Sequence, residues 1–451
     1  MHPRIIKRCR VCGNPSLEKT MDFGEQYLQG SFVKPGCQMP PKRKLPLELV
    51  RCDPSAQENA CGLLQLAHTF PPEILYANYW YRSGTNATMR NHLVGIVGSV
   101  LEVLGATEQD RKVLDIGCND GTLLAAYPAH FVKIGVDPSD IAREIPPPAQ
   151  VINTVFPSPD AMAAIGEHSV DVVTSIAMFY DLDDPVAFAR AVGALLKQDG
   201  VWVLEMSYLP LMLAKNAFDT VCHEHLEYYS LDVLEHIMRQ AGLKIFKASL
   251  NEINGGSIRC YVCRQESLAF GTPEASSFLS WLRIREFEME LDTPTPYQTF
   301  QQRAEALRRE TTALLTRLRS DGARIHVYGA STKGNVLLQW YGLNRLWIEA
   351  AADRNPIKVG ASTLGTGIPI IDEASSRAMK PDYYLVLPWH FLPEFLRRER
   401  ETVRSGTKLI VPLPELCVVE ESNIEEIIAQ CDASEGQGVN SAELLIAGYR
   451  A

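Results

Sequence analysis

The chain lacks any apolar run long enough to cross a bilayer. The longest, Leu93–Gly105, is interrupted by glycine and Glu102 and falls well short of the roughly 20 residues a membrane helix needs. Met1-His2-Pro3-Arg4 leads into charged residues and a cysteine pair rather than an apolar segment, so no signal peptide is expected and the cytoplasm is the expected compartment. An excess of positive charge is also missing. Lys and Arg number 44 against 54 Asp and Glu, a net charge of −10, which argues against a general nucleic-acid binder because phosphate contacts need a basic surface. No short-period repeat is present, and neither H-E-x-x-H nor a full G-x-G-x-x-G occurs. With 451 residues, 46% hydrophobic and 22% charged, the chain is an ordinary globular one of two to three domains.

The cysteines are unevenly spread. Five of the 11 lie within the first 61 positions, and an odd total without a leader favours thiols or metal ligands over a disulfide framework. Cys9-Arg10-Val11-Cys12 is a C-x2-C knuckle, the spacing at which two thiolates reach one tetrahedral Zn²⁺. Cys52 and Cys61 supply the expected second pair, with Cys37 a competing candidate. A segment this short buries little core, so a metal clip is physically reasonable. Four thiolates leave no open coordination position, and the zinc is expected to be structural.

Beyond the knuckle, Lys112–Gly117, Val132–Asp137, Val170–Ile176 and Gly200–Glu205 read as apolar strands alternating with helical stretches, the signature of a parallel α/β sheet. Leu231–Ala241 reads as a helix with Ser230 as N-cap and Gly242 as its end. Pro273 to Ser320 is charged and helical, a connecting pair. A second α/β unit opens at Arg324–Gly334 and continues through Ile348–Asp353, Asp382–Leu387 and Leu409–Val411, with a last helix at Asn423–Gln430 and a flexible end. The expected organisation is a zinc-binding domain over 1–72, an α/β domain over 73–272, a helical connector over 273–322 and a second α/β domain over 323–451.

Two clusters carry chemistry. In Leu114-Asp115-Ile116-Gly117-Cys118-Asn119-Asp120-Gly121, Gly117 lets a ligand approach the backbone. Asp115 places a carboxylate beside it, and Asp137 at the next strand end is positioned to accept ribose hydroxyls. The segment resembles the first loop of class I S-adenosylmethionine (SAM) methyltransferases; a nicotinamide cofactor or a cofactor-free fold are the alternatives. Cys118 reads as a small buried residue rather than a nucleophile. The second cluster, Cys222-His223-Glu224-His225-Leu226-Glu227, lies beyond the Gly200–Glu205 strand, where α/β ligand crevices open. Histidine accepts a proton near neutral pH and a neighbouring carboxylate can orient it; the bland reading is a helix-capping loop with a satisfied histidine.

The knuckle, Tyr81-Arg82-Ser83-Gly84, the Asp115–Gly121 loop, His223–Ser230, Gly255-Gly256-Ser257-Ile258-Arg259, Tyr328-Gly329-Ala330…Lys333-Gly334-Asn335 and Val411–Pro414 occur in that order. Together they resemble the sugar-nucleotide C-methyltransferases, typified by NDP-4-keto-2,6-dideoxyhexose 3-C-methyltransferases, over roughly Cys9 to Pro414. The resemblance implies a small N-terminal zinc-binding domain, a central class I SAM domain and a C-terminal Rossmann-like domain, with a sugar nucleotide held between the last two. It implies His225 as the base that removes the proton next to the ketone, with His223 a second candidate. Glu224 would position the sugar or the histidine. Ile176 and Ala177 join Asp115, Gly117, Cys118, Asn119 and Asp137 around the cofactor. Tyr76, Tyr79, Tyr81, Asp181, Cys222, Asn254 and Ser257 face the substrate, with Arg259 and Lys333 as phosphate candidates. Many members carry Tyr at Cys222, Asn and His at Ala177 and Asp181, and His at Asn254, so a different sugar or keto substrate is expected here. The rival activities are a bifunctional methyltransferase–ketoreductase and SAM-dependent transfer to an oxygen, nitrogen or non-sugar acceptor. A non-enzymatic binding module is the third. The oligomeric state is left open by the sequence.

Overall fold

The computed structural model describes residues 3–37, 43–71, 75, 80–105 and 108–437. The expectations for Tyr76, Tyr79 and the tail beyond 437 lie outside the described residues. Three strands, β1 (Leu17–Gln26), β2 (Leu45–Cys52) and β3 (Leu64–Leu66), form an antiparallel meander. Along β2 the residues Leu45, Leu47 and Leu49 alternate inward, as the two-residue period of a strand requires. Their apolar side chains pack with Met21, Phe23 and Leu64.

The central unit comprises α1 (Ala87–Leu104), β4 (Lys112–Ile116), β5 (Val132–Val136), β6 (Gln150–Ile152), β7 (Val170–Ile176), α2 (Pro185–Leu195), β8 (Leu196–Ser207), β9 (Glu227–Tyr228), α3 (Leu231–Gln240), β10 (Leu243–Asn251) and β11 (Ser257–Arg264). Seven of its strands make one sheet in the order β10-β11-β8-β7-β4-β5-β6, with β11 antiparallel to both neighbours. The middle strands are buried on both faces, which is why they read as continuous apolar runs. Side-chain caps start the helices: Asn86 accepts from Thr88 N, Asp184 from Ala187 N and Ser230 from Val233 N.

The remainder contains α4 (Pro273–Glu288), α5 (Thr295–Ser320), β12 (Ile325–Tyr328), α6 (Thr332–Tyr341), β13 (Ala350–Asp353), β14 (Ile370–Asp372), α7 (Glu373–Ala378), β15 (Tyr383–Val386), α8 (Leu392–Arg404), β16 (Lys408–Val411), β17 (Cys417–Val419) and α9 (Ile424–Gln437). The second sheet runs β14-β13-β12-β15-β16-β17, parallel except for β17. The last helix is longer than the expected Asn423–Gln430. Helix α4 does more than connect. Its buried Glu286 accepts from Leu231 N (2.5 Å) and Asp232 N (3.1 Å), so a carboxyl from α4 caps the start of the preceding helix α3, and it also accepts from Tyr208 Oη (2.6 Å).

The three parts are stitched together. Strand β9 leaves the central unit and pairs with β3, as Glu227↔Gln65 and Tyr228↔Leu64, so the N-terminal sheet has four strands. Phe32–Val33 pairs with Ser362–Thr363, and Asn335 Nδ2 donates to Gln29 O at 2.7 Å. In the central sheet the strand order reverses between β4 and β7, and in the second between β12 and β15. Ligand crevices of parallel sheets open at such reversals. Among the described residues no helix is long and apolar enough to cross a membrane.

Candidate active site

Both reversals open onto one cavity of about 510 Å³. The turn after β4 contributes Gly117, Cys118 and Asn119, and the end of β5 contributes Asp137. Gly117 holds φ +78°, open to glycine and strained for other residues. Asp137 braces the loop by accepting from Asn119 N at 2.9 Å and Ser139 N at 2.8 Å. Asp115 is buried and accepts from Thr174 Oγ1 at 2.6 Å, and burial pushes its pKa up to about 7. Among the described residues no cationic side chain pairs with it, so the carboxyl suits a ligand that brings its own positive charge. Ile176 and Ala177 line the wall after β7, so all seven expected cofactor residues converge. Cys118 Sγ packs where a Cβ on Gly135 would come within 2.7 Å of it, and burial holds it as a thiol. These residues fit SAM: a carboxyl for the ammonium, a carboxylate for the ribose and a glycine against the backbone.

Across the cavity stand Glu224 and His225. His225 Nδ1 lies 2.8 Å from Thr220 O. A carbonyl only accepts, so Nδ1 carries the proton and the lone pair sits on Nε2. The ring lies 4.1 Å from that of Tyr180. Burial, with the Lys333 ammonium adding to it, pushes the imidazole pKa down to about 3 and keeps it neutral. The orientation of His225 therefore comes from Thr220, not from Glu224. Glu224 faces the cavity with its pKa raised by burial to about 7, and Gly30 makes room for it: a Cβ there would stand 2.0 Å from Oε1. Lys333, from the first turn of α6, donates to Thr220 Oγ1 at 3.0 Å and to Asn254 O.

Other expected residues are corrected. His223 turns away from the cavity, donating to Leu45 O at 3.3 Å with its ring edge-on to Phe70, so it is not placed as a base. Cys222 is fully buried in the apolar core rather than on the cavity wall. Ser257 donates to Ile253 O at 2.9 Å, and Arg259 is bound to buried Glu205 at 2.8 Å, so neither reaches the cavity. Glu205 also meets His92 at 2.5 Å, and these partners hold its carboxyl low despite burial. Tyr81, Asp181, Asn254 and Lys333 do line the cavity. Sequence reasoning missed Gly30, the Thr220 carbonyl, Asp353, His390 and Arg398. Backbone oxygens and glycines announce nothing in a sequence, whereas Asp353 ends a strand after a glycine turn as Asp137 does.

The metal centre assembles apart from the cavity. The Sγ atoms of Cys9, Cys12, Cys52 and Cys61 lie within 4.8 Å of one another, with Cys9–Cys61 and Cys12–Cys52 each at 3.5 Å. A tetrahedron with Zn–S bonds of about 2.3 Å has edges of roughly 3.8 Å, so the four thiolates fit one structural Zn²⁺. Cys37 is exposed and outside the group. Arg10, inside the knuckle, donates to Leu66 O and Thr69 Oγ1 at 2.8 Å, and its Nε lies 3.6 Å from Glu227 of β9.

Three family models match in succession: a zinc binding domain over 9–76, a methyltransferase domain over 90–248 and a C-methyltransferase C-terminal domain over 252–414. C-methyltransferase NovU of Streptomyces niveus is 29% identical over 423 residues, covering 92% of this chain and 97% of that protein. A ubiquinone biosynthesis O-methyltransferase of Neisseria meningitidis serogroup C (strain 053442) is 30% identical over 154 residues, 30% of this chain and 64% of that one. Among solved structures, magnesium protoporphyrin IX methyltransferase from Synechocystis PCC 6803, with bound SAH, covers 40% of this chain and 88% of its own at 14% identity and a TM-score of 0.32. With the His225 loop and the cofactor loop on one cavity, and the matched domains in this order, the chain is similar over nearly its whole length to C-methyltransferases, which supports a SAM-dependent C-methyltransferase with a zinc-binding N-terminal domain.

Proposed function

We propose that the chain methylates the carbon next to the ketone of a nucleotide-linked 4-keto-deoxysugar, with His225 as the base. One observation carries this reading. A neutral imidazole whose Nδ1 is committed to Thr220 O turns a free Nε2 lone pair onto a cavity that also holds the cofactor loop. When bound, SAM supplies an electrophilic methyl group to the carbon that has lost its proton. Asp115 and Asp137 hold the cofactor's ammonium and ribose. His225 Nε2 takes the proton from the carbon. A carbon acid of this kind is deprotonated only where the developing oxygen charge is met by donors. Glu224, partly protonated near neutrality, donates to that oxygen. The Lys333 ammonium lowers the basicity of His225 but favours negative charge forming beside it, which offsets that cost in the transition state. On the C-terminal wall Lys358, Arg354 and Arg398 are each paired with a carboxylate, of Asp353, Glu394 and Glu373 respectively, so the cation there that favours an anionic acceptor is Lys333.

The test is incubation with labelled SAM and a panel of nucleotide-linked 4-keto-sugars carrying deuterium on the carbon beside the ketone. Mass spectrometry is expected to find a methyl group gained and the deuterium lost together. Methylation with the label retained assigns the methyl to an oxygen and overturns the reading. The absence of product from every keto-sugar would remove the proposed acceptor class.

A further inference from the structure

The Gly255-Gly256-Ser257 turn brings neither Ser257 nor Arg259 to the cavity, yet its glycines are needed where they stand. Gly255 has φ +90°, and a Cβ there would lie 3.0 Å from Cζ2 of Trp389. A Cβ on Gly256 would lie 2.7 Å from that of Leu211. The turn is therefore a socket. Trp389, which follows β15 in the C-terminal unit, fills it and is buried there. At the polar edge of the indole, Nε1 donates to Asp219 Oδ2 at 2.9 Å. One side chain of the C-terminal unit thus enters the central unit and ends on a carboxylate.

That carboxylate adjoins the residue that orients His225. Asp219 is buried in the single helical turn Phe218–Thr220. From the same turn Thr220 O accepts from His225 Nδ1 at 2.8 Å, and Thr220 Oγ1 accepts from Lys333 Nζ at 3.0 Å. Among the described residues Asp219 Oδ1 has no hydrogen-bond partner. A buried carboxylate is costly unless a charge nearby offsets it, and here that charge is Lys333. Burial pushes the Asp219 pKa up, and the Lys333 ammonium, then the Trp389 N–H, opposes the shift. Burial in turn pulls the Lys333 pKa down, and Asp219 pushes it back up. The two buried groups favour each other's charged form. Thr220 is bonded to one and adjacent in sequence to the other, so its carbonyl is fixed from both sides.

We propose that Asp219 is the positioning residue of the His225 imidazole: bonded to Trp389 and balanced in charge by Lys333, it holds the Thr220 carbonyl on Nδ1, so that a contact from the C-terminal unit sets the direction of the ring. Its consequence for turnover rests on the reading that His225 is the base. The test compares the wild type with Asp219→Asn, which keeps an acceptor for the indole but loses the charge, and with Trp389→Phe, which keeps an aromatic ring but loses the N–H. Long-range 1H–15N spectra of histidine-labelled protein read the His225 tautomer, with His225→Asn assigning the signal. Kinetics with the most active nucleotide-linked 4-keto-sugar of the panel read kcat and KM. The wild type is expected to hold the proton on Nδ1. Each variant is expected to put His225 in exchange between its two tautomers. Their kcat is expected to fall about ten- to a hundredfold, the scale of a misplaced reacting group, with KM for SAM and S-adenosylhomocysteine affinity unchanged. The double variant is expected to lose no more than the worse single one, because the two side chains act as a unit. An unchanged His225 signal in the variants, even with a lowered thermal midpoint, marks a merely structural contact and overturns the proposal; Trp389→Phe decides this if Asp219→Asn does not fold. Losses that add in the double variant also overturn it. A disturbed tautomer with kcat unchanged leaves the positioning standing and overturns His225 as the base.

Discussion

His225→Asn is the informative change at the scale of single residues. The amide can still donate to Thr220 O from near the Nδ1 position, but it has no counterpart of Nε2. Turnover is expected to fall by roughly 10²–10⁴, the usual worth of a positioned base, while calorimetry finds S-adenosylhomocysteine affinity unchanged; undiminished turnover would remove His225 from the reaction. Glu224 adds a pH signature. Burial raises its pKa to about 7, so its proton is lost as pH rises through neutrality, and a donor to the substrate oxygen goes with it. Activity is expected to decline above about pH 7. Glu224→Gln, which donates at every pH, is expected to flatten that limb; a limb that persists in the variant would assign it to another group. His225 does not produce it, since its own titration lies far lower, near 3.

Among the elements, the junction of α3 and α4 has a measurable pH dependence. Glu286 is buried over the start of α3 and its pKa is raised to about 7. Between about 4.5 and 7 the folded protein therefore holds this proton more tightly than the unfolded chain does. Stability contributed by the protonated form is lost as pH rises across that window. Glu286→Gln cannot titrate. The fall in urea midpoint from pH 5 to pH 7.5 is expected to be smaller in the variant, and an identical fall in both would show that other groups cause it. The same junction explains an incomplete sequence reading. The pattern of α4, with Leu279 and Leu282 inward and Phe287 exposed, reads as a connector, because a single buried glutamate in a charged helix is indistinguishable from its solvated neighbours.

For the whole molecule, the zinc clip and the reaction cavity are mechanically joined. Strand β9 begins two residues after His225, pairs with β3, and meets Arg10 of the knuckle through Glu227. Cys12→Ser is expected to lower zinc content and thermal midpoint and to reduce turnover with them, although no cysteine of the clip lines the cavity. Metal analysis, thermal unfolding and kinetics on one preparation check this; full turnover at substoichiometric zinc would separate the clip from the active loop. Such coupling is a result of construction, since the loop that carries His225 runs directly into β9, which pairs with the N-terminal sheet.

The sequence by itself determined the features that local chemistry dictates. The Cys9-x-x-Cys12 spacing selects a metal, Ser230 starts a helix, Gly117 turns a strand into a ligand loop, and buried parallel strands announce themselves by unbroken apolar runs. Only the tertiary structure decided which polar residues share a cavity. His223 and His225 are two positions apart yet face opposite sides of their loop. Arg259 belongs to Glu205 rather than to a ligand, and Gly30, Lys333 and Asp353 come from distant segments to the same cavity. The physical reason is that a residue type sets what a group can do, whereas burial, partners and direction are set by contacts between parts of the chain hundreds of residues apart.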